Sequence, residues 1–471
     1  MSTNKGTGEY DLVLSVTQTT LNDQLTNMWA RRGKLAFPKI WNNKTLNMDA
    51  DDDPEFEIHL EVPTLEVMGQ GEVKITFVFG EGSKLMEYSV NRKTKQVTTT
   101  EISIASYQFS MRTDMAKIKF EDSHSDLLSD EEKKQLNSFQ ENKFTIQSLF
   151  MDFTNVKAGT FEGQQSSKFS FVNTCNSIIV ALTNKLKGPD YSARPFLFGV
   201  VATKTLVDKS AWAPANCRFS TSLQRSVPKQ STLNFLMTTD PKTDISKLPE
   251  FYPVVIDADE QTIKGRLLLN HKLLDKKIEQ ALLQSIQHIP KSYEAKYQGN
   301  RKVECKLSSD NGDEGGTLSA SWELSGSELI IKFHSQRTLP IWGELSALVG
   351  KLRLYGDQTM KYELKMSDDK GMEVAEKEIG PLVKTDDDNF WKKLARGIEL
   401  VWTAITVQIE AFQSALRSLD GSYKLETMLE NVLGEKGFEY ILLPGADVFK
   451  FKNPVFLDKL IDLQVDATYR D

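Results

Sequence analysis

The sequence predicts an elongated α+β protein, with antiparallel β-sheets wrapped around long α-helices in two pseudo-repeated units. Three observations lead there. Apolar residues recur at helical spacing over long stretches, they alternate with polar ones at period two between those stretches, and the order of helix, meander, helix and strands occurs twice.

Residues 1–10 read as a disordered lead. After a short alternation at Leu12, Leu14 and Val16, Thr17 can cap a helix whose Leu21, Leu25, Met28 and Trp29 share a face. The acidic stretch from Asn47 to Pro54 separates this helix from a meander. Phe56, Ile58, Leu60 and Val62 alternate with charged residues; Val73, Ile75, Phe77 and Phe79 do the same, and Gly80 to Ser83 reads as a turn into Leu85 to Val90. Ile102, Ile104, Tyr107, Phe109 and Met111 change phase near Ser106, which predicts a bulge. Ser129 to Glu132 matches a capping box. Phe144 to Phe161 reads as a strand, and Phe171, Cys175, Ile178, Ile179, Leu182 and Leu186 as the stripe of a second helix ending near Gly188. Phe196 to Val201 and Leu233 to Met237 close the first unit, 11–246.

The Pro-marked stretch from Lys247 to Pro253 is the expected boundary, and the second unit, 247–471, begins the order again. Leu267 to Leu269 is strand-like, Asn270 caps a helix, and Leu274, Ile278, Leu282 and Ile286 share one face up to Pro290. Val303 to Leu307, Leu318 to Leu324 and Leu329 to Phe333 form a meander with a turn at Ser325 to Ser327. Leu352 to Leu354 and Tyr362 to Met366 extend it to a hairpin at Asp368 to Gly371. Asp386, Asp387 and Asp388 precede the longest expected helix, about 389–419, roughly 45 Å long at 1.5 Å per residue. Its stripe is Trp391, Leu394, Ile398, Val401, Trp402, Ile405, Ile409, Phe412 and Leu416. Tyr440 to Leu443, Val448 to Phe451 and Leu463 to Tyr469 are the last strands.

At 471 residues the chain exceeds one ordinary core. A net charge of -7 with scattered cations supplies no basic field, so no nucleic-acid partner is expected. The N-terminus carries no apolar secretory core, and no stretch reaches the roughly 18 apolar residues of a membrane span. Synthesis in the cytoplasm without a secretory signal is the expectation, with release and action outside the cell open. Cys175, Cys217 and Cys305 are odd in number and far apart, which fits a reducing compartment and no disulfide framework.

Catalytic signatures are missing from the sequence. The five histidines have no metal-ligand spacing, and neither a nucleophile elbow nor a phosphate loop occurs. Asp49, Asp51 and Asp53 have the spacing of a calcium loop, but Pro54 stands at its glycine position and Leu60 at its closing glutamate. Neither a cofactor, a metal nor an enzymatic activity is expected. Trp29, Trp391 and Trp402 on apolar helix faces are either ordinary core or the lining of a seam left open for an apolar ligand. The candidate lining is Leu21, Leu25, Trp29, Ile278, Leu282, Val401, Trp402, Ile405, Ile409 and Phe412.

Particular segments carry a resemblance. Ser15 to Trp29, Ile146 to Asn155, Ser231 to Thr238, Leu443 to Lys452 and the closing Asp466 to Tyr469 are spread from end to end of the chain. Together with the wrapped-helix plan, they resemble the tubular lipid-binding superfamily. More closely, the chain resembles the OrfX-type and forty-seven-kilodalton accessory proteins of botulinum neurotoxin gene clusters. The resemblance implies a non-enzymatic protein with a long apolar groove, acting on lipid, a membrane surface or protein partners encoded with a toxin. Two other readings stay open: a scaffold whose groove is filled, binding only protein, and a directly acting insecticidal or membrane-active toxin.

Overall fold

Strands far apart in the chain meet in a six-stranded antiparallel sheet: β11 (Asn216–Ser222), β12 (Thr232–Thr238), β1 (Leu12–Thr17), β13 (Gly265–Leu269), β23 (Leu463–Tyr469) and β22 (Phe449–Phe456), in that order across it. The structure, a computed structural model, describes residues 6–32, 39–42, 55–91, 93–119, 145–162, 197–203, 213–287, 289, 292–309, 315–340, 351–367, 371–386, 441–442, 449–457 and 462–469. It also describes scattered positions within 128–137, 178–184 and 403–411. Among these residues the protein is mostly antiparallel sheet with few helices.

Strand alternation gives the central sheet two different faces. Phe219, Phe235, Leu14, Leu267 and Val465 stand side by side on neighbouring strands, and the last four are buried in the main apolar core. The adjacent rung, facing the other way, is polar across all six strands: Ser220, Asn234, Ser15, Arg266, Asp466 and Lys452. The segment around Pro249 to Ile263 covers this second face. It buries Phe251, Val255 and Ile256, the first two in a small cluster with Tyr10, Val13, Leu236 and Leu268. The stretch expected to part the two units is therefore docked on the sheet they share.

β1 runs straight into α1 (Gln18–Arg32), and the predicted cap is present: Thr17 Oγ1 accepts from the Thr20 amide at 3.2 Å. Polar residues of α1 do a second job. Asn22 accepts from Leu65 N (2.7 Å) and donates to Leu65 O (2.9 Å), while Gln18 Oε1 accepts from Val67 N (2.8 Å). These bonds occupy the free edge of β4 (Thr64–Val67), which would otherwise be an exposed template for pairing.

The first meander is folded at a corner. β3 (Glu55–His59) leads into β4, β5 (Glu72–Val78) into β6 (Lys84–Val90), and β7 (Val97–Ser103) into β8 (Gln108–Lys119). Register continues through the bend: Phe56 opposes Leu85, Leu60 opposes Phe79, and Thr64 opposes Thr76. Gly80 to Ser83, expected to reverse the chain, instead lets it bend from one sheet into the next. Gly82 at φ +82° and Ser106 at φ +68° supply the backbone for that corner. The phase change near Ser106 is a bulge, as predicted: Ser106 N donates to Phe79 O and Phe79 N to Tyr107 O, so Phe79 opposes two residues. The reversals lie at Gln70–Gly71 and between Asn91 and Gln96. β2 (Lys39–Asn42), unforeseen in the sequence, joins β3, β6 and β7 in a four-stranded sheet. β4, β5 and β8 continue through β9 (Thr145–Glu162), β10 (Leu197–Thr203) and β21 (Ile441–Leu442). β21 comes from the far end of the chain and pairs with Val200 and Val201.

α2 (His271–Gln287) follows β13 as α1 follows β1. Asn270 caps it, accepting from Lys272 N at 2.9 Å, and Asp462 Oδ1 accepts from His271 N at 2.9 Å, placing a carboxylate at the positive helix end. The second meander comprises β14 (Ser292–Gly299), β15 (Lys302–Leu307), β16 (Gly316–Ser325), β17 (Glu328–Pro340), β18 (Lys351–Ser367) and β19 (Gly371–Ile379), with β20 (Val383–Asp386) also on β18. The turn at Gly326–Ser327 is as expected, while β18 is one strand where two were expected.

One expectation changes. The lead is seated from residue 6 onward: Thr7 donates through N and Oγ1 to Asp462 Oδ2, and Tyr10 is buried with its hydroxyl on Pro249 O. A leader of small polar residues is held because Asp462 and Asn270 offer buried partners that its composition does not announce. Of the helix expected over 389–419, helical backbone at 403, 405–407 and 409–411 is described; the remainder lies outside the described residues, as does most of the helix expected over 171–186.

Candidate ligand seam

The apolar face of the central sheet, α1, α2 and the three other sheets meet in one continuous core. Leu21 and Leu25 of α1, Ile278 and Leu282 of α2, and Ile405 and Ile409 all lie in it, each at 2% exposure or less. Trp29 is partly buried against it. Val401, Trp402 and Phe412 lie outside the described residues. Candidates from both halves of the chain thus share a single cluster, which also takes in Val73, Ile75 and Phe77 of β5 and Leu329, Ile331 and Phe333 of β17.

The docking of Ile405 has a specific cause. A Cβ on Gly356 of β18 would lie 2.4 Å from Ile405 Cγ2, so only glycine admits that side chain. Ser335 of β17 sits opposite Gly356, and the two small residues form a notch across the sheet. Alternation on β17 turns Ser335 inward with Leu329, Ile331 and Phe333, and it is fully buried. Sequence periodicity missed this notch because Ser335 and Gly356 read as polar or neutral interruptions.

α2 is fixed on the second meander by a polar clamp. Asp275 accepts from Trp322 Nε1 at 2.9 Å and pairs with Arg301 at 2.9 Å, and Tyr297 lies over Trp322 with ring centroids 6.3 Å apart. Burial pushes the Cys305 thiol up to about 11, so Cys305 behaves as a small apolar residue. Cys217 is likewise a buried thiol, donating to Arg218 O at 3.8 Å.

Polar atoms inside the seam stand out by contrast. Gln24 is on the buried side of α1, one turn from Leu21 and beside Leu25, and is wholly buried. Among the described residues neither its amide nitrogen nor its oxygen has a hydrogen-bond partner, and the same holds for Ser285 Oγ on α2 and Ser335 Oγ. His59, His271 and His334 each meet one carboxylate, from Glu57, Asp462 and Asp357 respectively. Among the described residues no group of three or more metal-ligating side chains converges. No described helix is long and apolar enough to cross a membrane.

Long bent sheets, core helices and a sheet shared by both ends of the chain make up the fold. P47 of Clostridium botulinum E1 has a crystal structure of this fold: it aligns with TM-score 0.52 at 10% identity, over 98% of this chain and 99% of that one. A lipopolysaccharide binding protein aligns over 98% of this chain and 99% of that one, with TM-score 0.35 at 8% identity. At such identity the likeness to P47 is one of fold. No protein-family model and no curated protein matches the sequence.

Proposed function

We propose that this chain is a non-enzymatic protein of the lipid-binding fold that takes an acyl chain into its apolar seam and works beside a protein toxin and the partners encoded with it. The observation that carries the reading is the single apolar cluster joining α1, α2 and the helical positions Ile405 and Ile409. Such a surface needs no catalytic group to bind, since each buried methylene contributes about 0.8 kcal/mol. The likeness of fold to P47 supports the toxin-associated context. The strand order of the central sheet supports the two-unit plan, 11–246 and 247–471. From the β1–β13 pair outward each unit supplies its first, last and penultimate sheet strands, and each opens strand-to-helix. Cytoplasmic synthesis followed by release fits the same reading.

The test is mass spectrometry of the native protein, then delipidation and reloading from liposomes. Co-purifying acyl lipid, or saturable uptake after delipidation, is expected; no lipid and no liposome binding would reject the lipid half. A second reading has its own support: Ile405 against Gly356 shows at least part of the seam filled by the chain itself. On that reading the protein is a scaffold, and pull-down of co-expressed cluster proteins would persist after complete delipidation.

A further inference from the structure

We propose that Gln24 is the polar anchor of the seam, and that it selects lipids whose head end is a neutral ester or amide. The proposal rests on the lipid-binding reading and narrows its ligand. A carboxamide carries two N–H donors and an acceptor oxygen, and burying it unpaired costs about 1–3 kcal/mol per orphaned group. Gln24 is wholly buried with both polar atoms unpartnered among the described residues, although its neighbours on the helix face, Leu21 and Leu25, are apolar core. The contrast with the rest of α1 is informative. Gln18, Asn22 and Thr20 on the same helix all have partners, respectively Val67 N, the Leu65 backbone and Lys264 O. The same helix satisfies the amides of Gln18 and Asn22 and leaves that of Gln24 unpartnered in the interior.

The charge of the surroundings sets the ligand class. The buried cations among the described residues are already engaged: Arg266 by Glu260 and Asp466 on the opposite face of the central sheet, and Arg337 of β17 by Ser308 O. A free carboxylate or a phosphate held only by a neutral amide would be desolvated without compensation. An ester or amide carbonyl instead accepts from Gln24 Nε2, and a hydroxyl or N–H next to it donates to Oε1. A monoacylglycerol has both groups beside a single tail.

The experiment loads delipidated protein from cyclodextrin with monoolein, with oleate or with 1-octadecene, and measures by mass spectrometry what remains after gel filtration. Wild type should retain monoolein in preference to oleate. Gln24→Met keeps the side-chain length and removes the amide. It should reduce monoolein retention at least about fivefold, as loss of a neutral hydrogen bond in a dry site implies. Octadecene retention should be unchanged and the Tm of the empty protein equal or higher. Gln24→Leu serves as the second variant if the first folds poorly. Equal monoolein retention in wild type and variants, with octadecene also bound, overturns the anchor and leaves the lipid reading standing. Failure of wild type to retain any of the three overturns both.

Discussion

The two faces of the central sheet are built on opposite principles, although the same six strands supply both. One face, with Leu14, Phe235, Leu267 and Val465, joins a large apolar core continuous with both helices. The other carries the polar rung, in which Arg266 donates Nε to Asp466 (2.7 Å) and forks onto Glu260 (2.8 and 2.9 Å), while Asn234 Nδ2 reaches Ser220 and Ser222. Apolar contact is non-directional and tolerates a change of shape at constant volume. Charged hydrogen bonds tolerate no change of geometry. The polar rung therefore holds strand register on a face that also buries the small cluster of Val13, Leu236 and Leu268, and the large apolar face is where the proposed occupant would lie.

The sharpest way to break this comparison is at Arg266. Arg266→Met leaves Asp466 and Glu260 in place without their cation, and unfolding free energy should fall by about 3–5 kcal/mol, read from the urea midpoint. Arg266→Lys should recover little of it, because an ammonium cannot fork; Leu267→Met on the other face of the same strand should cost under about 1.5 kcal/mol. Equal losses for these two conservative changes would show that the faces do not differ as described.

Ile405→Ala should cost about 2–5 kcal/mol by opening a cavity, and Gly356→Ala about 1–3 kcal/mol by overpacking. The double variant should lose clearly less than the sum, since the added methyl enters the space that the removed side chain vacates. Strict additivity in chemical denaturation would remove Ile405 from the notch. A smaller effect is expected at the cap: Thr17→Ala should lower stability by about 1 kcal/mol in the same assay. The smallest is chemical. Cys305 should resist alkylation at pH 8 in the native state and react promptly in urea. Because the folded thiol keeps its proton up to about 11 while the unfolded one releases it near 9.0, its contribution to stability should decline as pH rises between those values. Fast native-state labelling of Cys305 would mean that this part of the core opens.

Much of the fold was legible where one physical signal dominated. Leu274, Ile278, Leu282 and Ile286 are all buried on α2 as their spacing predicts, and Thr17 and Asn270 cap where their side chains allow. Leu463 to Tyr469 is a strand over its predicted length. What escaped was long-range. The residues Gly80 to Ser83 look the same whether the chain reverses or bends, and only the pairing of Leu60 with Phe79 distinguishes the two. β14 went unread because its Tyr293 and Tyr297 are exposed and give no alternation of burial. The seam was legible as apolar stripes. Gln24, Ser335 and Gly356 were not, because periodicity treats a polar or absent side chain on a buried face as noise, and Arg266 shows its role only beside a residue 200 positions away.

Synthesis gives the sheet order a further consequence. β13 emerges from the ribosome long before β23, its outer neighbour, and Thr7 waits for Asp462 across 455 positions of sequence. Until β23 is released, one margin of β13 has no mate and Thr7 lacks the Asp462 carboxylate, holding only to Asn270. The nascent protein must therefore carry an open, sticky border from the synthesis of β13 to that of β23, a period in which a holdase or an early-binding neighbour has its best access.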